Sequence, residues 1–199
     1  MIYENIEKTV GDREDWSLRR RKGIPNNKKL FVLTCMDERI PVERALGLEL
    51  GDAHIFRNAG GIVTDDAVRS AALTTNFFGT GEIVILLHTE CGMMSTTGSD
   101  VEAALRARGV DVDGVEIDPA LPELKLEAGA FAKWIRTFRD VDEAAVAQVE
   151  LLRASPLIPD HVKIHAYIWE VESDRLRRPK QRLGEETSRS PAGVGAATG

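Results

Sequence analysis

Lys29–Arg39 reads KLFVLTCMDER, and the reading of the whole chain starts there. Leu30, Phe31, Val32, Leu33 and Thr34 run without a break into Cys35. A run with no polar face predicts a strand buried on both sides. Asp37 and Arg39 follow at every second position. The strand would thus deliver a thiol, a carboxylate and a guanidinium to its carboxyl end, where open α/β sheets collect their chemistry. A second such run, Glu82–Leu87 (EIVILL), leads into His88-Thr89-Glu90-Cys91-Gly92-Met93-Met94. The chain has only two cysteines, and each stands at the end of a strand of this kind.

The segments around these runs alternate in type. Pro41 suits the first turn of a helix whose apolar side is Val42, Ala45, Leu46 and Leu48, closed by Gly51. Ala53–Arg57 (AHIFR) reads as a short strand that ends in Asn58-Ala59-Gly60-Gly61, where small residues allow close backbone approach. Thr64-Asp65-Asp66 offers an N-cap to a helix running to Gly79. Strand, helix, strand, helix, strand implies a parallel sheet with right-handed crossovers. Both cysteine motifs then share one sheet edge.

Further on, Asp100–Arg108, Ala128–Phe138 and Asp142–Ala154 read as helices. Asp142 is the expected cap of the last, with Val146, Val149, Leu151 and Leu152 toward the core. Residues 109–127 read as a loop. Val162–Val171 alternates apolar and polar, as expected of an antiparallel edge strand with one exposed face. The predicted architecture is α/β: a mostly parallel sheet of about four strands plus an antiparallel edge strand, flanked by helices. The expected division is an N-terminal helical arm at 1–27, the main domain at 28–174 and a disordered tail at 175–199.

A net charge of −6 argues against nucleic acid as a partner. No apolar run approaches the ~20 residues of a membrane span, and the N-terminus lacks the apolar stretch of a signal peptide. The expectation is a cytoplasmic protein, whose cysteines bind metal or act in catalysis rather than pair.

His88 and Cys91 stand three positions apart and can share one metal, with Cys35 brought in from the other strand end. Two thiolates and an imidazole suit tetrahedral Zn2+, and three protein ligands leave a fourth position open, as in catalytic sites. Spacing alone leaves two alternatives: inert core thiols beside a satisfied histidine, and a redox pair. Asp37 has two fates. Unpaired, it can reach the metal and close the site. Paired with Arg39, it stays ionised and can accept a hydrogen bond from a metal-bound water.

CMDER, RNAGG and HTECG, in this order and separation, resemble the β-class carbonic anhydrases. The resemblance spans about residues 28–172 and includes WIRTFRDVDEAAVAQVELLRASPLIP and KIHAYIWEV. It implies zinc held by Cys35, His88 and Cys91, with Asp37 and Arg39 as a catalytic acceptor dyad. It also implies a homodimer or larger homo-oligomer in which the arm, carrying Tyr3 and Trp16, embraces the partner. The implied reaction is attack of zinc-bound hydroxide on a small uncharged gas, with CO2 hydration to bicarbonate as the first expectation. The compact branch of the class also resembles carbonyl sulfide hydrolases, so hydrolysis of COS or CS2 is the alternative. A non-catalytic zinc protein with a filled fourth position is a third reading. Ile40, Ala59, Ile62 and Met93 are candidate walls, and the backbone at Gly60 and Gly92 a candidate contact for substrate oxygen. Met93 and Met94 would suit a sulfur-bearing substrate or plain packing. His54, His161 and His165 read as structural or solvent-facing. Arg57 and Arg69 either serve the site or pair with Asp65 and Asp66.

Overall fold

A computed structural model describes residues 26–180. Most of the expected arm, and the tail beyond 180, lie outside the described residues. Five strands form one sheet: β1 (Leu30–Cys35), β2 (Ala53–Asn58), β3 (Glu82–His88), β4 (Lys163–Glu170) and β5 (Arg175–Arg177), in the order β2-β1-β3-β4-β5. The first four are parallel, and β5 pairs antiparallel with β4. Between them lie α1 (Val42–Leu46), α2 (Asp65–Phe77), α3 (Gly92–Ser95), α4 (Gly98–Ala107), α5 (Phe131–Ile135) and α6 (Val141–Ala154).

The unbroken apolar runs behave as their composition requires. Every residue of β1 is buried, as is every residue of β3 after Glu82. Such burial is worth about 1.5–3 kcal/mol per large aliphatic side chain. On one face Phe31, Leu33, Ile83, Ile85 and Leu87 pack against Ala67 and Ala71 of α2 and Ala145, Val149 and Leu152 of α6. Leu30, Val32, Val84 and Leu86 form a second cluster with Val42 of α1, and both cysteines belong to it. Thr34 stands opposite Leu86, so Cys35 ends its strand one step before His88 ends the neighbouring one.

Several expectations need correction. The strand at 162–171 is not the antiparallel edge. The chain reaches β4 through α6, a helical crossover, and such a connection sets strands parallel. Its alternation reflects a face only partly covered. The antiparallel edge is β5, three residues taken from the expected tail, which folds back after Asp174 adopts φ +57°. The cap of α6 is Asp140, whose Oδ1 accepts the N–H groups of Asp142 and Glu143 at 2.8 and 3.0 Å. Asp142 instead accepts from Arg177 Nη1 and Nη2 at 2.6 and 3.0 Å, tying α6 to β5. Val149 and Leu152 face the core, while Val146 and Leu151 are exposed. The helix expected at 128–138 shrinks to α5, because Arg136 turns left-handed at φ +54°. Residues 109–127 are irregular, as expected, apart from one bridge between Glu116 and Lys125. Val112 and Leu126 pack there with Phe131 as a small separate core.

Candidate metal centre

The sheet brings Cys35, His88 and Cys91 together. One ligand atom from each lies within 4.8 Å of the others, and all three residues are buried. The two Sγ atoms are 3.9 Å apart, and both cysteines are free. His88 is 1% exposed, yet neither Nδ1 nor Nε2 has a hydrogen-bond partner among the described residues. A buried imidazole with both nitrogens unpaired is costly. The donor set is two sulfurs and a nitrogen, so a zinc-type ion fits the group and would satisfy the orphaned ring.

The two thiols are not equivalent. Cys91 points its sulfur at Cys35, and this contact, with His88 and the N–H groups of Asp37 and Gly60, stabilises the Cys35 thiolate and lowers its pKa. Cys91 is pushed the other way, first by its proximity to Cys35 and then by burial. The contact between them favours one thiolate in the pair, and a thiolate is the form that binds metal.

Of the two fates open to Asp37, the structure shows the paired one. Arg39 donates through Nε to Oδ1 at 2.9 Å and through Nη2 to Oδ2 at 2.8 Å, and its backbone N–H also reaches Oδ1 at 2.9 Å. This bidentate grip holds the Asp37 pKa down to about 2. Asp37 Oδ2 nevertheless lies only 3.8 Å from His88 Nε2. The carboxylate is ionised, oriented and next to the metal position.

Arg57 serves the site rather than pairing with Asp65 or Asp66. From β2 it donates to the carbonyls of Cys35 and Asp37 at 3.0 and 3.1 Å, and to that of Ile40 at 2.8 Å. Arg69 pairs with Asp66 instead. Sequence reading passed over Asn58, whose amide exchanges two hydrogen bonds with the backbone of Ile62 and so closes the Ala59–Gly61 turn. The glycines of that turn are needed where they stand. Gly61 has φ +67°, and a Cβ there would lie 2.7 Å from the backbone nitrogen of Cys35. Gly60 has φ +83°, and its Cβ would meet Met93 Cγ at 3.1 Å and Phe138 Cε1 at 3.2 Å.

A cavity of about 290 Å³ opens on the group, lined by Cys35, Met36, Asp37, Glu38, Ala59, Gly60, Cys91, Gly92, Met93 and Thr96. Ile40 and Ile62, named as walls, are not among them; Ile40 packs in the cluster that holds both cysteines, and Ile62 lines a separate groove with Phe138. Met94 packs against the core clusters. A larger groove of about 550 Å³, along α6 and β4, holds none of these groups. His54 bonds Thr74 at 2.7 Å and His165 lies 3.0 Å from Glu82, so neither joins the site.

Residues 30–176 match the family described as carbonic anhydrase. The chain belongs to this family, in its β class. It is 53% identical over 193 residues to the carbon disulfide hydrolase of Acidithiobacillus thiooxidans, covering 96% of this chain and 97% of that one. Identity to β-carbonic anhydrase 1 of Mycobacterium tuberculosis is 30% over 154 residues, covering 77% of this chain and 83% of the relative. Among solved structures, the apo form of a carbon disulfide hydrolase matches with a TM-score of 0.77 at 48% identity, over 98% of this chain and 100% of that one. This β-class family member is an enzyme whose near relatives carry the name of the sulfur-substrate reaction and whose more distant ones carry that of the anhydrase.

Proposed function

We propose that this enzyme hydrolyses CS2, and the COS formed from it, at a zinc ion held by Cys35, His88 and Cys91. The observation that carries this reading is the gap in identity: 53% along nearly the whole chain to a carbon disulfide hydrolase, against 30% over 154 residues to β-carbonic anhydrase 1 and 33% over 181 residues to a putative carbonic anhydrase of Bacillus subtilis. The first expectation, CO2 hydration, thereby becomes the secondary activity. The reaction consumes one water per round: CS2 and water give COS and hydrogen sulfide, then COS and water give CO2 and hydrogen sulfide. In each round a C–O bond forms at the central carbon, a C–S bond breaks, and the two protons of the water end on the departing sulfide.

Bound zinc would supply Lewis acidity that brings the pKa of a water toward neutrality. The chain's own groups do the rest. Asp37, kept ionised by Arg39, accepts a hydrogen bond from the attacking oxygen and aims it. Ala59 and Met93 give the cavity apolar walls, with the thioether of Met93 a soft contact for sulfur. Gly60 and Gly92 line the same cavity, with the Gly60 N–H turned to the Cys35 sulfur. The paired state of Asp37 supports an enzyme over a non-catalytic zinc protein, which calls for a filled fourth position.

Two thiols kept for a metal suit a reducing cytoplasm. A homodimer or higher homo-oligomer belongs to the same reading, supported by Phe77 at 78% exposure with Leu73 and Leu157 also exposed. The deciding experiment supplies zinc-loaded protein with CS2, COS or CO2 and follows sulfide and proton release. Sulfide release that exceeds CO2 hydration in kcat/KM is expected. Rapid CO2 hydration without sulfide would overturn the reading.

A further inference from the structure

Arg39 is held from two sides. Asp37 grips one, as described. On the other, Nη1 reaches Glu90 Oε2 at 3.3 Å and Nη2 donates to the Glu90 backbone carbonyl at 3.1 Å. Glu90 lies between two of the candidate ligands, His88 and Cys91. It adopts φ +53°, a left-handed conformation that side chains with a Cβ seldom take. Such a conformation persists only where its surroundings enforce it, and it gathers at functional sites. Here it has a visible result: the carbonyl of Glu90 and its carboxylate both meet one guanidinium. Arg39 thereby links the β1 end of the site to the β3 end.

We propose that Glu90 is a positioning residue whose left-handed backbone and carboxylate together fix Arg39, and through Arg39 keep Asp37 off the metal position. The inference rests on the metal-site reading above. Its physical content is a competition. Asp37 Oδ2 is 3.8 Å from His88 Nε2, so a small rotation would bring the carboxylate onto an ion held by the three ligands. Arg39 opposes that rotation only while it is itself anchored. Its remaining hydrogen bonds, among the described residues, go to Glu90, while Glu38 adds only a longer-range attraction. A Glu90 that served only the turn would leave Asp37 where it is when altered.

The test uses the protein loaded with Co2+, with azide as a small probe of the open coordination position and the visible absorption spectrum as readout. Azide shifts the spectrum of the wild-type protein. Glu90→Gly keeps the backbone conformation and loses the carboxylate, so azide binding weakens about threefold, the scale of an exposed ion pair. Glu90→Val disfavours the left-handed backbone and also removes the carbonyl contact, so binding weakens more than about tenfold, as expected for loss of a hydrogen bond to a charged group. Adding Asp37→Asn to Glu90→Val restores the azide response, which a merely disrupted turn would not do. A folded Glu90→Val protein that takes up a full equivalent of cobalt and binds azide like wild type overturns the proposal. If that variant does not fold, Glu90→Gly and Glu90→Gln carry the test, and unchanged azide affinity in both overturns it. A wild-type protein that takes up no cobalt or shows no azide response defeats the metal-site reading itself, and the role of Glu90 falls with it.

Discussion

β1 and β3 are neighbouring parallel strands, buried throughout except at Glu82, that each lead to a cysteine, yet their ends make unequal contributions. The β1 end brings one candidate ligand, Cys35, and also the acid and base that flank it, Asp37 and Arg39. The β3 end brings two candidate ligands, His88 and Cys91, and no ionised acceptor of its own in the cavity beside them. The difference comes from what supports each turn. After Cys35 the chain is held by Arg57, which donates to three carbonyls, and by Gly61 pressed against the backbone. After His88 the chain turns through Glu90 and enters α3 at Gly92. One end is built to place an oxygen acceptor, the other to place metal ligands. Altering each in turn should produce different losses.

The largest loss is expected from the ligands. His88→Ala or Cys35→Ser should weaken zinc binding by more than about 100-fold, beyond the 10–100-fold typical of an outer-shell partner. Metal analysis after dialysis against a chelator would measure it. Full zinc retention in both variants would remove the trio from the site. Sulfide release should vanish together with the metal.

Asp37→Asn should separate the two ends most clearly. Zinc stays, while kcat/KM for CS2 falls by about 10²–10⁴-fold, the range of a lost acid–base group. The pH dependence has a definite sign. Arg39 depresses the Asp37 pKa to about 2, so the pair contributes stability that is present above the unfolded carboxylate value near 4. That contribution is lost as pH falls toward 2. The Asn variant should therefore be less stable than wild type at pH 7, with the difference shrinking as the pH falls through about 2 in denaturant titrations. Loss of activity between pH 4 and 6 would have to come from another group, because Asp37 remains ionised there.

The meeting of Cys35, His88 and Cys91 was legible in the sequence because each sits at a fixed step after an apolar run, and parallel register aligns such steps. The parallel strands β1, β2 and β3 and the helix α2 were legible from local pattern as well, whereas the parallel sense of β4 was not. What escaped was set by contacts between segments far apart in sequence. Nothing local separates a carbonyl-binding Arg57 from one paired with Asp65. The left-handed turn at Glu90 has no glycine to announce it. Asp140 and Asp142 are both plausible caps by residue type, and Arg177, 35 positions away, takes the second. The edge strand β5 is three residues long, too short for a period-two pattern to show. Ile40 and Ile62 flank the right motifs, but their side chains go to the core.

Gly61→Ala tests the support of the β1 end without touching a charged group. Its Cβ would sit 2.7 Å from the nitrogen of Cys35 and 2.8 Å from the carbonyl carbon of Thr34, both backbone atoms that have little room to yield. The expected cost is about 1–3 kcal/mol of stability, the range of an overpacked core. It should appear as a lower denaturation midpoint at unchanged slope. The same substitution at Gly92, where a Cβ meets nothing within 4 Å, should be nearly silent. Equal effects at the two glycines would contradict the unequal support described above.

The smallest effect is expected from Arg57→Lys. Lysine keeps the charge and the reach but replaces a planar fork with a single ammonium. Three carbonyls now share Arg57 across two nitrogens, Nη1 for Cys35 and Asp37 and Nη2 for Ile40. An ammonium can satisfy one or two of them at once, so at least one bond should be lost, at about 1 kcal/mol. The affected carbonyls belong to a candidate ligand, Cys35, to the proposed acceptor, Asp37, and to Ile40, whose N–H closes their turn. The loss should therefore appear in kcat through a misaimed Asp37, while zinc affinity, set mainly by side-chain atoms, changes less. Arg57→Met, which keeps the bulk and removes all three donors, should enlarge both effects in the same proportion. If the Lys variant instead lost zinc and kept kcat, Arg57 would belong to the ligand half of the site, and the division between the two strand ends would have to be redrawn.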